Sequence, residues 1–394
     1  MALRDVPDAA PLPLAGRARH LDGMRGVAIV LVVGQHWIGE HYGFWRGAGA
    51  GVEVFFVLSG FMVTSWLMRS TFGYRAFLRR RVLRLVPSLL VMIAGGLLLA
   101  AVLPWSWVPE RIALRSATIA VSELTSLVSA GGIDMRPFGI TWSLSIEWYF
   151  YLLWPVVALT WRRRGTDPAR CARYTLVAAL LLYAVSLTFS ASWYHFGPVS
   201  RFGLLLLGAS VAYRVAAIRA GNGAFRWTPP GWTAGLAVVA IVAWKLAGPD
   251  QDSLWYRFVG TPLTVTATLA VVVVGMTQPD AVAIRALSSR LLVGLGAVSY
   301  SLFLWHTIPW TLLTPRSTGL TYEQLLPIWA GATVLLTAGA YLLVERPTQR
   351  WGRRDPRPWR EVLVGVRFAA RHPRRGLPLL FTPPASPAVP AGPR

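Results

Sequence analysis

The chain has 394 residues, of which 54% are apolar and 14% charged, and its mean hydropathy is +0.48. Soluble globular domains carry about 25% charged residues, so this composition excludes one and indicates an integral membrane protein. The formal charge of +22 lies in short arginine clusters between apolar runs, with Lys245 the only lysine, a pattern of topology signals and phosphate ligands rather than of a nucleic-acid-binding face. A single cysteine, Cys171, excludes a disulfide framework and a cysteine-based metal site.

A bilayer crossing needs about 20 predominantly apolar residues, and on that basis ten spans are predicted in an all-α polytopic bundle. They lie near 23–41, 50–68, 85–103, 142–161, 174–191, 199–214, 232–248, 258–276, 291–313 and 325–344. Arginine crowds Arg69–Arg84, Arg162–Arg173, Arg214–Arg226 and everything after Arg346, while the intervening loops are poor in it, which predicts both termini in the cytoplasm. The loop 104–141, with Pro104, Trp105, Trp107, Pro109 and Pro137, is then external and holds an interfacial or re-entrant helix. Residues 1–16 form an N-terminal cytoplasmic tail, 17–352 the membrane domain, and 353–394 a basic, proline-rich cytoplasmic tail without apolar periodicity, expected to be disordered.

The first span, RHLDGMRGVAIVLVVGQHWIGEH, carries charge where hydrocarbon disfavours it. Arg25 and His36 are eleven residues apart, about three helical turns, so they share one face roughly 16 Å apart along the axis. A ligand with an anionic end and a long thin arm fits that face, and coenzyme A has that shape. Glu53, Glu147 and His306 fall at the same depth as His36 by the same count. Taken singly, each is as readily a hydrogen-bonding group between helices as a functional one; their convergence favours function, with His36 the candidate general base. Glu147 is expected to orient the imidazole, Glu53 lies near enough the outer end to be solvated loop, and His306 has an interfacial anchor as its alternative. In FLRRRVLRLVP, Arg81 and Arg84 are adjacent on one helix face and offer guanidinium forks to phosphates, although cytoplasmic juxtamembrane segments also attract arginine for topology alone.

RHLDGMRGVAIVLVVGQHW, with an arginine, ten residues and a histidine, resembles the opening of the acyltransferase 3 family of bacterial membrane O-acyltransferases. GVEVFFVLSGF, FLRRRVLRLVP, TWSLSIEWYFYLLWP, SYSLFLWH and ERPTQRW resemble its later motifs in order, over residues 17–352. The resemblance implies an acyl-CoA donor, acetyl-CoA by expectation, used as a substrate with no resident cofactor or metal. It implies a hydroxyl acceptor, a cell-envelope glycan, glycolipid or small metabolite, and a place in the bacterial cytoplasmic membrane. It assigns His36 as base or acyl relay, Arg25, Arg81 and Arg84 to the donor phosphates, and Glu147, Trp142 and Ser143 to the site. Trp148 departs from the family's Glu-Gln-Phe-Tyr pattern, on what would be the acceptor side. The short tail is expected to mark the stand-alone type, without an extracytoplasmic hydrolase-like domain. The readings from other classes are a proton-coupled transporter or flippase, with intramembrane His and Glu as relay groups, and a non-catalytic scaffold.

Overall fold

The computed structural model describes residues 18–69, 73–103, 108–221 and 229–353. The expected N-terminal tail, Pro104, Trp105, Trp107 and the tail beyond 353 lie outside the described residues. The chain divides into two units, Met1–Gln349 and Arg350–Arg394, and the helical bundle belongs to the first.

Every regular element among the described residues is helical. The long ones are α1 (Arg19–Gly34), α2 (Ala50–Arg69) and α3 (Tyr74–Val102), then α4 (Glu110–Val121) and the short α5 (Thr125–Ala130). They continue with α6 (Trp142–Arg163), α7 (Pro168–Ser186), α8 (Pro198–Arg219), α9 (Trp232–Ala247) and α10 (Thr261–Thr277). The last are α11 (Arg290–Trp305), the short α12 (Thr307–Leu312) and α13 (Tyr322–Ala340). Seven of the helical segments described are long and apolar enough to cross a membrane. Three further expected spans are also helical: α1, which continues through a π turn at Gln35–Gly39, α6, and the 16-residue α9. The first two carry Arg25 and Glu147.

Burial is distributed as it is in a bilayer protein. Leu335 and Leu343 stand 75% and 79% exposed while Glu53, His306 and Arg201 are 0–1% exposed. In water that arrangement would be unfavourable on both counts; in lipid it is the low-energy one, because apolar side chains lose nothing facing hydrocarbon and polar ones must find partners inside.

The core is assembled from close helix pairs. α1 packs against α11, α2 against α8, and α8 against α7. The first pair runs parallel, since Gly26 meets Leu292, Arg25 meets Ser299 and His36 meets His306. Backbones touch there. A Cβ on Gly26 would lie 2.3 Å from the Leu292 carbonyl oxygen, and one on Gly296 1.8 Å from that of Asp22, so only glycine fits either place.

The loop before α6 holds α4 and α5, which pack with the short helix Gly139–Thr141 beneath the start of α6. Asp134 and Arg136 clip the turn between them with a 2.7 Å ion pair, and the Arg136 hydrogen bonds hold the Asp134 carboxyl below the usual carboxylate range. Consequently α6 opens on a tryptophan, Trp142, that is already buried. Glu147 therefore lies deeper in the bundle than a count from the loop suggests.

Candidate active site

Three arginines meet at a cavity. Arg25 comes from α1, and Arg81 and Arg84 come from the long first half of α3, which begins eleven residues before the expected span so that the whole arginine run is helical. The cavity encloses about 760 Å³ of non-atom space, including its open mouth. Besides the arginines its polar lining comprises Ser59, Ser143, Glu147, Tyr151, Ser299 and Tyr300. Phe55, Met62 and Phe303 supply apolar wall.

The guanidinium groups are only partly satisfied by protein. Arg25 Nη2 donates to Ser299 Oγ at 3.0 Å and its guanidinium lies 5.9 Å from the Phe55 ring, while Arg81 lies 4.9 Å from the Tyr151 ring. Arg25 Nε and Arg84 Nε are buried with no hydrogen-bond partner. A buried donor left unpaired costs about 1–3 kcal/mol, more when charged, so these two nitrogens mark a place for an anionic acceptor. Glu147 sits on the same wall. Tyr151 OH donates to its Oε2 at 2.8 Å and lies 3.1 Å from Ser59 Oγ.

His36 lies elsewhere, beyond the Phe303 wall. It stands in the π turn Gln35–Gly39, where the widened ring of backbone bonds lets its Nδ1 reach the Val32 carbonyl oxygen at 3.1 Å. Facing it is His306, at the break between α11 and α12, with Nε2 3.1 Å from His36 Nδ1. The Nδ1 of His306 lies 2.8 Å from the Phe303 carbonyl oxygen and 3.2 Å from that of Leu302. Trp37 Nε1 donates to the His306 carbonyl at 3.0 Å, and Trp310 lies 5.6 Å from the His36 ring. His36 Nε2 has no protein partner among the described residues.

The sequence-derived residues thus fall into three groups. Arg25, Arg81, Arg84, Ser143 and Glu147 share the cavity, and His36 pairs with His306 rather than with Glu147. Glu53 and Trp142 belong to a separate buried network. There Arg201 Nη1 donates to Glu53 Oε1 at 2.9 Å and Nη2 to Tyr256 OH at 2.6 Å, while Thr261 Oγ1 and Tyr256 OH also donate to Glu53. The Trp142 ring lies 5.9 Å from the Arg201 guanidinium. This network ties α2, α8 and α10 together.

Sequence reasoning missed Arg201, Tyr151, Ser299 and Glu345. Arg201 in PVSRFGLLLL and Glu345 in LLVERP were visible as ionisable residues inside apolar runs, the same signal that singled out His36. Glu345 bonds Ser301 and Gln349 and is close enough to Arg84 and Arg25 to interact with their charge. Tyr151 follows Glu147 by four residues and Ser299 precedes Phe303 by four, so each lies on the face of a residue at the site.

The Acyltransferase domain family, Acyl_transf_3, matches residues 19–345. The O-acetyltransferase OatA of Staphylococcus aureus (strain NCTC 8325 / PS 47) is 26% identical over 320 residues, covering 73% of this chain and 49% of OatA. BcsY of Komagataeibacter xylinus, which carries the provisional name of a membrane-bound transacylase, is 32% identical over 358 residues, covering 86% of this chain and 85% of BcsY. YrhL of Bacillus subtilis (strain 168), provisionally named a peptidoglycan O-acetyltransferase, is 26% identical over 366 residues, covering 85% of this chain and 55% of YrhL. The chain thus spans about half the length of OatA and YrhL. No solved structure matches it. The stretch matched by the family begins at α1 and ends at Glu345, so it takes in the arginine cavity and the histidine pair together: this chain is a multi-pass membrane protein of the acyltransferase 3 family.

Proposed function

We propose that the protein is an O-acyltransferase that takes an acyl group, acetyl in the simplest case, from cytoplasmic acyl-CoA and transfers it to a hydroxyl of a cell-envelope glycan or glycolipid. The observation that carries this reading is the cavity in which Arg25 Nε and Arg84 Nε are buried and unpartnered beside Arg81. Phosphates satisfy such nitrogens well, because guanidinium groups bind them with paired, charge-assisted bonds. The relatives named for O-acetylation support a hydroxyl acceptor.

In this mechanism the arginines hold the nucleotide end and the pantetheine arm runs past Phe303 toward His36. Positioning of this kind converts a bimolecular encounter into an intramolecular one. His36 takes the proton of the acceptor hydroxyl as its oxygen attacks the thioester carbon; the C–S bond breaks and the leaving sulfur recovers the proton as CoA thiol. Glu147, bonded to Tyr151, balances the arginine charge in the cavity.

The test is thiol release from acetyl-CoA by purified protein with a panel of glycan and small-molecule acceptors. Acceptor-dependent CoA release that disappears in Arg25→Gln and His36→Ala supports the assignment. Proton-coupled movement of a glycolipid in proteoliposomes, with no thioester consumed, would replace it with the transporter reading.

A further inference from the structure

His306 is fully buried, and among the described residues the hydrogen-bond partners of its ring nitrogens are two backbone carbonyls and another imidazole. Carbonyl oxygens only accept hydrogen bonds, so a ring nitrogen 2.8 Å from one must carry a proton. The same requirement falls on His36 Nδ1 against the Val32 carbonyl. Both neutral rings then carry their proton on Nδ1. In that state His306 Nε2 is a bare acceptor, and the His36 Nδ1 proton is shared between it and Val32 across 3.1 Å each. The remaining nitrogen, His36 Nε2, is left with its lone pair free.

We infer that His306 is a positioning residue for the transfer reaction: together with the Val32 carbonyl, its Nε2 holds His36 in the Nδ1-protonated tautomer, and so makes His36 Nε2 the atom that accepts the acceptor's proton. The inference rests on the reading of His36 as base and adds to it. A neutral imidazole has two tautomers, and only one presents a basic nitrogen to the substrate side; its partner on the other nitrogen decides which. When Nε2 is protonated, the Nδ1 proton of His36 can pass to His306 Nε2, and the charge then rests on a ring whose own Nδ1–H faces the Phe303 and Leu302 carbonyls. No proton is gained or lost in that step. His36 is left neutral with its proton on Nε2, and reversal on thiol departure restores the starting state.

Neighbouring bonds hold the arrangement in place. Trp37 Nε1 caps the carbonyl of His306, Tyr322 OH donates to the Trp37 carbonyl at 2.9 Å, and the break between α11 and α12 is what turns His306 toward α1. Rings alone would tolerate several packings; these bonds select one.

Two substitutions and one spectrum test the assignment. His306→Leu keeps bulk and removes the acceptor, so kcat should fall by about 100-fold or more with the KM for acetyl-CoA unchanged. His306→Gln places an amide oxygen where Nε2 was and should recover at least about a tenth of wild-type turnover. An inactive His36→Ala beside a fully active His306→Leu overturns this inference alone, whereas an active His36→Ala overturns the base assignment beneath it. Equal losses in the Leu and Gln variants, with a parallel fall in thermal stability, would reduce His306 to packing. Wild-type protein with 15N-labelled histidine, assigned by difference against His36→Gln, should show His36 Nδ1 protonated and Nε2 bare at neutral pH. The opposite tautomer overturns the inference even if neither His306 variant folds.

Discussion

The Glu53–Arg201 pair shows how a single charged side chain is tolerated at 1% exposure or less: each guanidinium nitrogen has a target, and Glu53 Oε1 receives three donors. Breaking such a pair from one side leaves a buried charge uncompensated. Arg201→Met should therefore destabilise the bundle by about 3–5 kcal/mol, read as a lower unfolding temperature in detergent, whereas Arg201→Met with Glu53→Leu should recover part of the loss. A double variant no more stable than the single one would show that the bonds to Tyr256 and the His195 carbonyl matter more than the charge. The cavity arginines differ, because Arg25 Nε and Arg84 Nε are buried without a partner, and the proposed function gives these arginines the donor phosphates. Replacing Arg81 and Arg84 together with Gln should raise the KM for acyl-CoA more than it lowers kcat, with expression near normal. A kcat loss at constant KM would move them away from the donor.

Among the elements, the α1–α11 seam is the part of the architecture on which both halves of the site depend. Gly296→Val would drive a side chain into the Asp22 carbonyl, so the helices must separate, and Arg25–Ser299 and His36–His306 should both be lost. Turnover should fall together with thermal stability, while Gly294→Ala, where a Cβ meets nothing within 4 Å, should leave both unchanged. Much of this seam was legible in the sequence. Eleven-residue spacing put Arg25 and His36 on one face, and both motifs that meet across the seam were identified. Their partnership was not legible, because the depth count put Glu53, Glu147 and His306 level with His36 alike, and the place beside His36 expected of Glu147 is taken by His306. Two local departures account for that: the π turn re-aims His36, and the short helices α4 and α5 make α6 start deep, carrying Glu147 to the arginines. A widened turn has no hydrophobic period to announce it, and the helix expected in the loop 104–141 carried no signal of how deep α6 would start.

For the molecule as a whole, the arginine asymmetry between loops predicts that Pro109 and Arg164, both exposed, lie on opposite sides of the membrane. In a Cys171→Ser background, external maleimide should label Pro109→Cys and not Arg164→Cys, and the reverse pattern would invert the orientation. Under the proposed function, the protein must let an acyl group pass without opening a path for ions. Phe303 touches both compartments of the site: it lines the arginine cavity and its ring packs 5.9 Å from that of His306. On that reading a phenyl ring at this position would act as a plug, yielding to a slim thioester arm while offering nothing to solvate a proton. Phe303→Ala should accordingly make proteoliposomes dissipate an imposed proton gradient faster than wild type, and a cell carrying it would lose part of its proton-motive force to an enzyme that has no other reason to draw on it.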